Sequence, residues 1–115
     1  MGQGAKDQLL GSIDLLILKA LAGGPLHGYG IASRIHKLSE EALRVGEGSM
    51  YPALHRLSQS GFVKAEWRLS ETNRRARFYS LTAKGRKQLA LEEQHWKSVT
   101  AAVGRFLKFA SETGQ

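Results

Sequence analysis

The chain has 115 residues, 42% of them hydrophobic, enough for one small core and too few for a second independent domain. It has no cysteine, which excludes a disulfide scaffold, a thiolate metal site and a cysteine nucleophile. Seventeen Lys and Arg against ten Asp and Glu leave a net charge of +7, which points to an acidic partner.

Residues 1–11 carry three glycines and no periodicity, and read as a loose lead-in. Met1 to Lys6 lacks the basic-then-apolar order of a signal peptide, so the expected compartment is the cytoplasm. From Ser12 the spacing of Ile13, Leu16, Ile17, Ala20 and Leu21 predicts a first helix, stopped by Gly23–Gly24–Pro25. The apolar run Leu15–Leu16–Ile17–Leu18 ends at Lys19, far short of the ~18 residues that cross a bilayer. A second helix is expected over Tyr29–Ser39, burying Ile31, Ile35 and Leu38. Leu43–Val45 reads as a short extended piece. A third helix opens at Ser49, with Pro52 in its first turn, Met50, Leu54 and Leu57 inward, and Gly61 at its end.

Phe62–Leu69 then changes to a period of two. Val63, Ala65, Trp67 and Leu69 share one face, and Lys64, Glu66 and Arg68 the other. After the polar connection Ser70–Arg75, Arg77–Leu81 alternates again, so the two runs form a hairpin. Thr82 caps a last helix reaching about Ala110. Its apolar residues follow heptad spacing, Leu89, Trp96, Val103 and Ala110 in one series and Val99 and Phe106 in the other. Glu92 interrupts the second series, and Gly104 weakens the helix by roughly 1 kcal/mol against alanine.

The positive charge is local. Residues 56–87 hold nine basic and two acidic residues, while the rest of the chain is balanced at eight of each. Helices, hairpin and final helix in this order predict a mainly α chain with a small β-hairpin: a winged helix-turn-helix plus a long C-terminal dimerisation helix. The expected division is a lead over 1–11, a DNA-binding domain over 12–82, a dimerisation helix over 83–110 and a tail over 111–115. In that layout the third helix enters the major groove of double-stranded DNA and the hairpin loop reaches the backbone. The basic segment falls on the same surface.

Three stretches resemble the PadR-like transcriptional regulators. They are Leu15–Leu16–Ile17–Leu18 with Gly24–Pro25–Leu26–His27–Gly28–Tyr29–Gly30–Ile31, then Gly48–Ser49–Met50–Tyr51–Pro52–Ala53–Leu54–His55–Arg56–Leu57, and Arg77–Phe78–Tyr79–Ser80–Leu81–Thr82–Ala83–Lys84–Gly85. The resemblance spans about Gly11 to Trp96. The single terminal helix is similar to that of the family's small subfamily. What the resemblance implies is a cytoplasmic homodimer that binds an operator, usually as a repressor, with the last helix helping to make the dimer.

The candidate DNA-contacting residues are Ser49, Tyr51, His55 and Arg56 on the third helix, with Gln59 on the same face, and Arg74, Arg75 and Arg77 at the hairpin tip. Arg77 has a second reading, an ion pair with Glu66 across the hairpin. Lys84, Arg86 and Lys87 supply a general positive field. The resemblance adds a phosphate contact at Tyr29, whose ordinary alternative is packing over the preceding turn, a turn that His27 and Gly28 shape. Trp67 is expected to pack on its own hairpin. Leu89, Trp96, Val99, Val103 and Phe106 are the expected dimer or effector interface. Some small PadR-like regulators bind flat hydrophobic compounds between subunits, which makes Trp96 a candidate contact for a small hydrophobic or aromatic effector.

Enzymatic patterns are weak. Gly28–Tyr–Gly–Ile–Ala–Ser33 lacks the third glycine and the preceding strand of a dinucleotide site. Glu92–x–x–His95 is half of a carboxylate di-iron pattern without its second half. His27, His36, His55 and His95 do not pair at helical spacing. No catalytic residue, metal or cofactor is expected. Two alternatives to a sequence-specific regulator stay open: a non-specific architectural DNA-binding protein and a winged-helix protein–protein interaction module.

Overall fold

A computed structural model describes residues 13–112. The expected lead over 1–11, the helix start at Ser12 and the last residues of the tail lie outside them. Residues 13–20 form helix α1, followed by a 3-10 turn at Leu21–Gly23. Strand β1 (Leu26–His27) leads directly into α2 (Gly28–Leu38). The His27 ring joins the two, since its Nδ1 accepts the Gly30 N–H at 3.0 Å and caps the helix. Helix α3 (Glu47–Gln59), strands β2 (Val63–Leu69) and β3 (Arg75–Leu81), and helix α4 (Ala83–Glu112) complete the chain.

The three strands form an antiparallel sheet in the order β1-β3-β2. Leu26 pairs with Tyr79, and Val63 pairs with Leu81 at the other edge. One core joins α1, α2, α3 and the root of the hairpin. Ile17, Leu18, Leu21, Ile31, Met50 and Leu54 are its largest fully buried side chains. Val63, Tyr79 and Leu81 close it from the sheet, and Leu89 from α4.

Several expectations are corrected. Leu43–Val45, expected as a short extended piece, lies in the connection between α2 and α3 and pairs with no strand of the sheet. Helix α3 starts at Glu47, two residues before Ser49, so Pro52 sits in the second turn. There it removes the hydrogen bond to the Gly48 carbonyl, which is tolerated because both residues are exposed. The apolar face of β2 is core only at its inner end; Trp67 and Leu69 stand in solvent. Leu38, expected inward on α2, is also exposed.

Two junctions lock α3 and α4 to the hairpin. At the end of α3, the Phe62 N–H donates to the Leu57 carbonyl at 2.9 Å and the Gly61 N–H to Ser58 at 3.0 Å. That paired pattern requires a left-handed residue, and Gly61 supplies it at φ 79°. At the start of α4, Thr82 Oγ1 accepts the Gly85 N–H at 2.9 Å and donates to the Gly61 carbonyl at 2.7 Å. Lys84 Nζ donates to the Ser60 carbonyl at 2.8 Å, placing a positive charge at the negative end of α3. Lys84 is therefore a structural tie as well as part of the positive field.

Candidate nucleic-acid interface

Helix α3 buries Met50, Ala53, Leu54 and Leu57, which fixes its rotation. Tyr51, His55 and Gln59 face outward, and the His55 and Gln59 side chains approach at 3.5 Å. Ser49 is half-buried in the first turn. Glu47 occupies the first helical position, so phosphate binding at this N-terminus is opposed by a carboxylate.

Arg56 is exposed at the margin of this face. Its guanidinium lies 2.7 Å from Asp14 on α1 and braces the two helices. Burial pushes the Asp14 carboxyl above its ordinary value of 3.8, and Arg56 offsets part of that rise. The periodicity that put Arg56 beside His55 places it at the margin of the face, where α1 comes within reach.

The hairpin tip is the wing. Its loop is held by Ser70, whose N–H donates to the Arg74 carbonyl at 2.7 Å, and by Asn73 in the left-handed region at φ 63°. Trp67 lies directly opposite Arg77, and Leu69 opposite Arg75, on the face that continues inward to Tyr79 and Val63. The Arg75 and Arg77 guanidiniums lie over the Trp67 ring, 5.2 and 6.0 Å from its centre. Arg77 thus stacks on Trp67 instead of pairing with Glu66. Glu66 binds its own-strand neighbour Arg68 at 3.0 Å on the opposite face.

Between wing, α2 and α3 lies a groove of about 460 Å³. Tyr29, Tyr51, Arg74, Arg75 and Arg77 all line it, so the fold gathers five of the eight candidate DNA-contacting residues around one concavity. Tyr29 is 79% exposed, with its ring stacked near His27 at 6.4 Å. Tyr79 forms the buried floor, and burial raises its hydroxyl pKa while Arg77 beside it partly offsets the rise. Ser49, His55 and Arg56 do not line the groove; His55 continues the same surface along α3. Trp67 packs on its own hairpin, as expected, and the cross-strand register shows which residues it meets there.

Gly28 sets how closely α2 and α3 approach. A Cβ there would stand 2.5 Å from the Tyr51 hydroxyl oxygen. Gly28→Ala should therefore swing the half-exposed Tyr51 ring outward at a cost below about 1 kcal/mol, because the obstructing atoms belong to a movable side chain. Tyr51 ring resonances and thermal melting check this; a loss of 3 kcal/mol or more would mean that the ring is locked.

Along α4, Leu89 belongs to the core and not to an outer stripe. Trp96, Val103 and Phe106 are exposed, and Val99 is half-exposed. No helix among the described residues is long and apolar enough to cross a membrane.

Comparison with known proteins agrees with this geometry. The model of the transcriptional regulator PadR-like family matches residues 17–91. A transcriptional regulator of Mycobacterium tuberculosis is 36% identical over 87 residues, which cover 71% of this chain and 78% of that protein. An uncharacterized 37.1 kDa transposon protein of Streptomyces fradiae is 44% identical over 78 residues, 68% of this chain but 21% of that protein, so the chain spans about a fifth of its length. A solved transcriptional regulator from Clostridium thermocellum superposes with a TM-score of 0.77 at 28% identity, covering 87% of this chain and 94% of that one. A PadR family transcription regulator from Clostridium difficile gives a TM-score of 0.70 at 30% identity, covering 83% and 97%. The family match takes in the helix-turn-helix, the wing and the start of α4, and the chain belongs to the PadR-like family of transcriptional regulators, which are not enzymes.

Proposed function

We propose that the protein is a cytoplasmic repressor that binds a two-fold-symmetric operator in double-stranded DNA as a homodimer. The observation that carries this reading is the groove where the wing arginines face Tyr51 of α3 and Tyr29 of α2. In this reading Tyr51 and His55 enter the major groove and read base edges, with Ser49 beside them. Arg74, Arg75 and Arg77 hold the flanking backbone, and Tyr29 donates to a phosphate. Arg56, at the margin of that face, braces the reader helix through Asp14.

The dimer follows from α4. Beyond Leu89, Trp96, Val103 and Phe106 are left exposed by the described residues, Phe106 at 69%. Two copies paired along Trp96, Val99, Val103 and Phe106 would bury that stripe and present two α3 helices to successive major grooves, about 34 Å apart. Trp96, 43% exposed on that seam, favours a further reading in which a flat hydrophobic effector wedges between the subunits.

The test is selection of bound fragments from random duplexes, followed by titration of operator and scrambled DNA at one salt concentration. Tyr51→Ala and His55→Ala should each cost about 1–3 kcal/mol on the operator and much less on scrambled DNA. Arg74→Ala with Arg75→Ala should weaken both DNAs alike and lower the salt slope by about 0.9 per lost phosphate contact. Equal affinity of the wild type for both DNAs would identify an architectural protein. No binding at low salt would leave the protein–protein module.

A further inference from the structure

We infer that Trp67 is a positioning residue of the wing, whose ring holds Arg75 and Arg77 toward the groove so that both guanidiniums are ordered before DNA arrives. The inference rests on the DNA-binding reading and adds to it a residue that does not need to touch DNA.

Trp67 is 56% exposed near the outer end of a two-stranded ribbon, beyond the last core residue of its face. It therefore contributes little to the core. The cross-strand register explains its place, since Arg77 is its direct partner and Arg75 its diagonal one. Both guanidiniums sit over its ring, which attracts them through its negative π face. Both arginines also line the groove that faces Tyr51.

The two faces of the wing differ in a way that supports this role. On the far face Arg68 lies over Phe78 at 5.4 Å, but Glu66 sits 3.0 Å from it and cancels its charge. On the groove face, among the described residues, neither Arg75 nor Arg77 has a carboxylate partner, so both charges stay available. The indole orders them without neutralising them, as an anion-binding surface requires. Arginine gives up much side-chain freedom on meeting a phosphate, and a stacked guanidinium has already given up part of it.

The test combines two measurements. In the free protein, the Arg75 and Arg77 Nε–Hε resonances should be shifted by the Trp67 ring current and should return to ordinary positions in Trp67→Leu. With a random-sequence duplex at fixed low salt, Trp67→Leu should bind about tenfold more weakly, an ordering penalty for two side chains. Trp67→Phe keeps an aromatic face and should stay within about threefold of wild type. In the Arg75→Ala, Arg77→Ala background, Trp67→Leu should have no further effect. An equal loss in both backgrounds would show Trp67 touching DNA itself and overturn the proposal. So would unchanged affinity in Trp67→Leu while wild type binds normally, a result that leaves the DNA-binding reading standing. Wild-type protein that binds no duplex would overturn both. Melting curves of Trp67→Leu identify any loss that comes from unfolding.

Discussion

Replacing Gly85 with alanine should destabilise the domain by about 3 kcal/mol and lower its melting temperature by roughly 10 °C. Gly85 lies in the first turn of α4, pressed against the end of the α3–β2 connection. A Cβ at this position would collide with the Phe62 carbonyl oxygen, stand 2.9 Å from its carbon and crowd Leu81 at 3.2 Å. The obstacle is backbone, so no side chain can swing clear. That carbonyl is also held in place, because it accepts the Thr82 N–H at 3.1 Å. Relief needs α4 to move off the hairpin, which loosens the Thr82 cap and the Leu89 contact together. Alanine's advantage of about 1 kcal/mol in a helix is too small to compensate. Gly104 is the internal control: it lies on the same helix, and a Cβ there meets nothing within 4 Å. Gly104→Ala should raise stability by about 0.5–1 kcal/mol. Circular-dichroism melts of both variants decide the matter, and Gly85→Ala melting with the wild type would show that this contact yields easily.

Val99→Asp with Phe106→Asp should convert the protein to monomers. Two carboxylates on the outer stripe of α4 would each have to be buried unpaired in a seam otherwise made of Trp96, Val103 and aliphatic stems. Neither residue belongs to the core cluster, so the domain itself should fold as before. Sedimentation should give the mass of one chain for the variant and of two for the wild type. Losing the second half-site should weaken operator binding by 10²–10⁴-fold, because the second contact no longer forms at high effective concentration. A wild type already monomeric at micromolar concentration would remove the basis of the dimer.

The sequence carried the order of the helices, the hairpin and the capped last helix, because each has a long periodic signal or a strong punctuating residue. It also pointed to the wing arginines and Tyr51, which charge and spacing brought to attention and which the fold gathers in one groove. What it missed was short or non-local. A two-residue strand such as Leu26–His27 has no alternation to detect, and only its pairing with Phe78 and Tyr79 defines it. Glu47 and Gly48 add no apolar residue to α3, so the true start was invisible to a pattern of buried positions. The turn of Arg56 toward Asp14 depends on a partner 42 positions away. Leu89 satisfies a heptad and a core position equally well, and only packing chooses between them.

The ties from Thr82 to Gly61 and from Lys84 to Ser60 also have a mechanical meaning. They fasten the end of α3, the proposed reader helix, to the base of a 30-residue rod. At 1.5 Å per residue that rod is about 45 Å long. With its base fastened so closely, a tilt of about 5° at the far end shifts the reader by roughly 4 Å, comparable to the ~3.4 Å between stacked base pairs. A wedge that parts two such rods by a few degrees would thus put both readers out of step with their half-sites, with no rearrangement inside either domain.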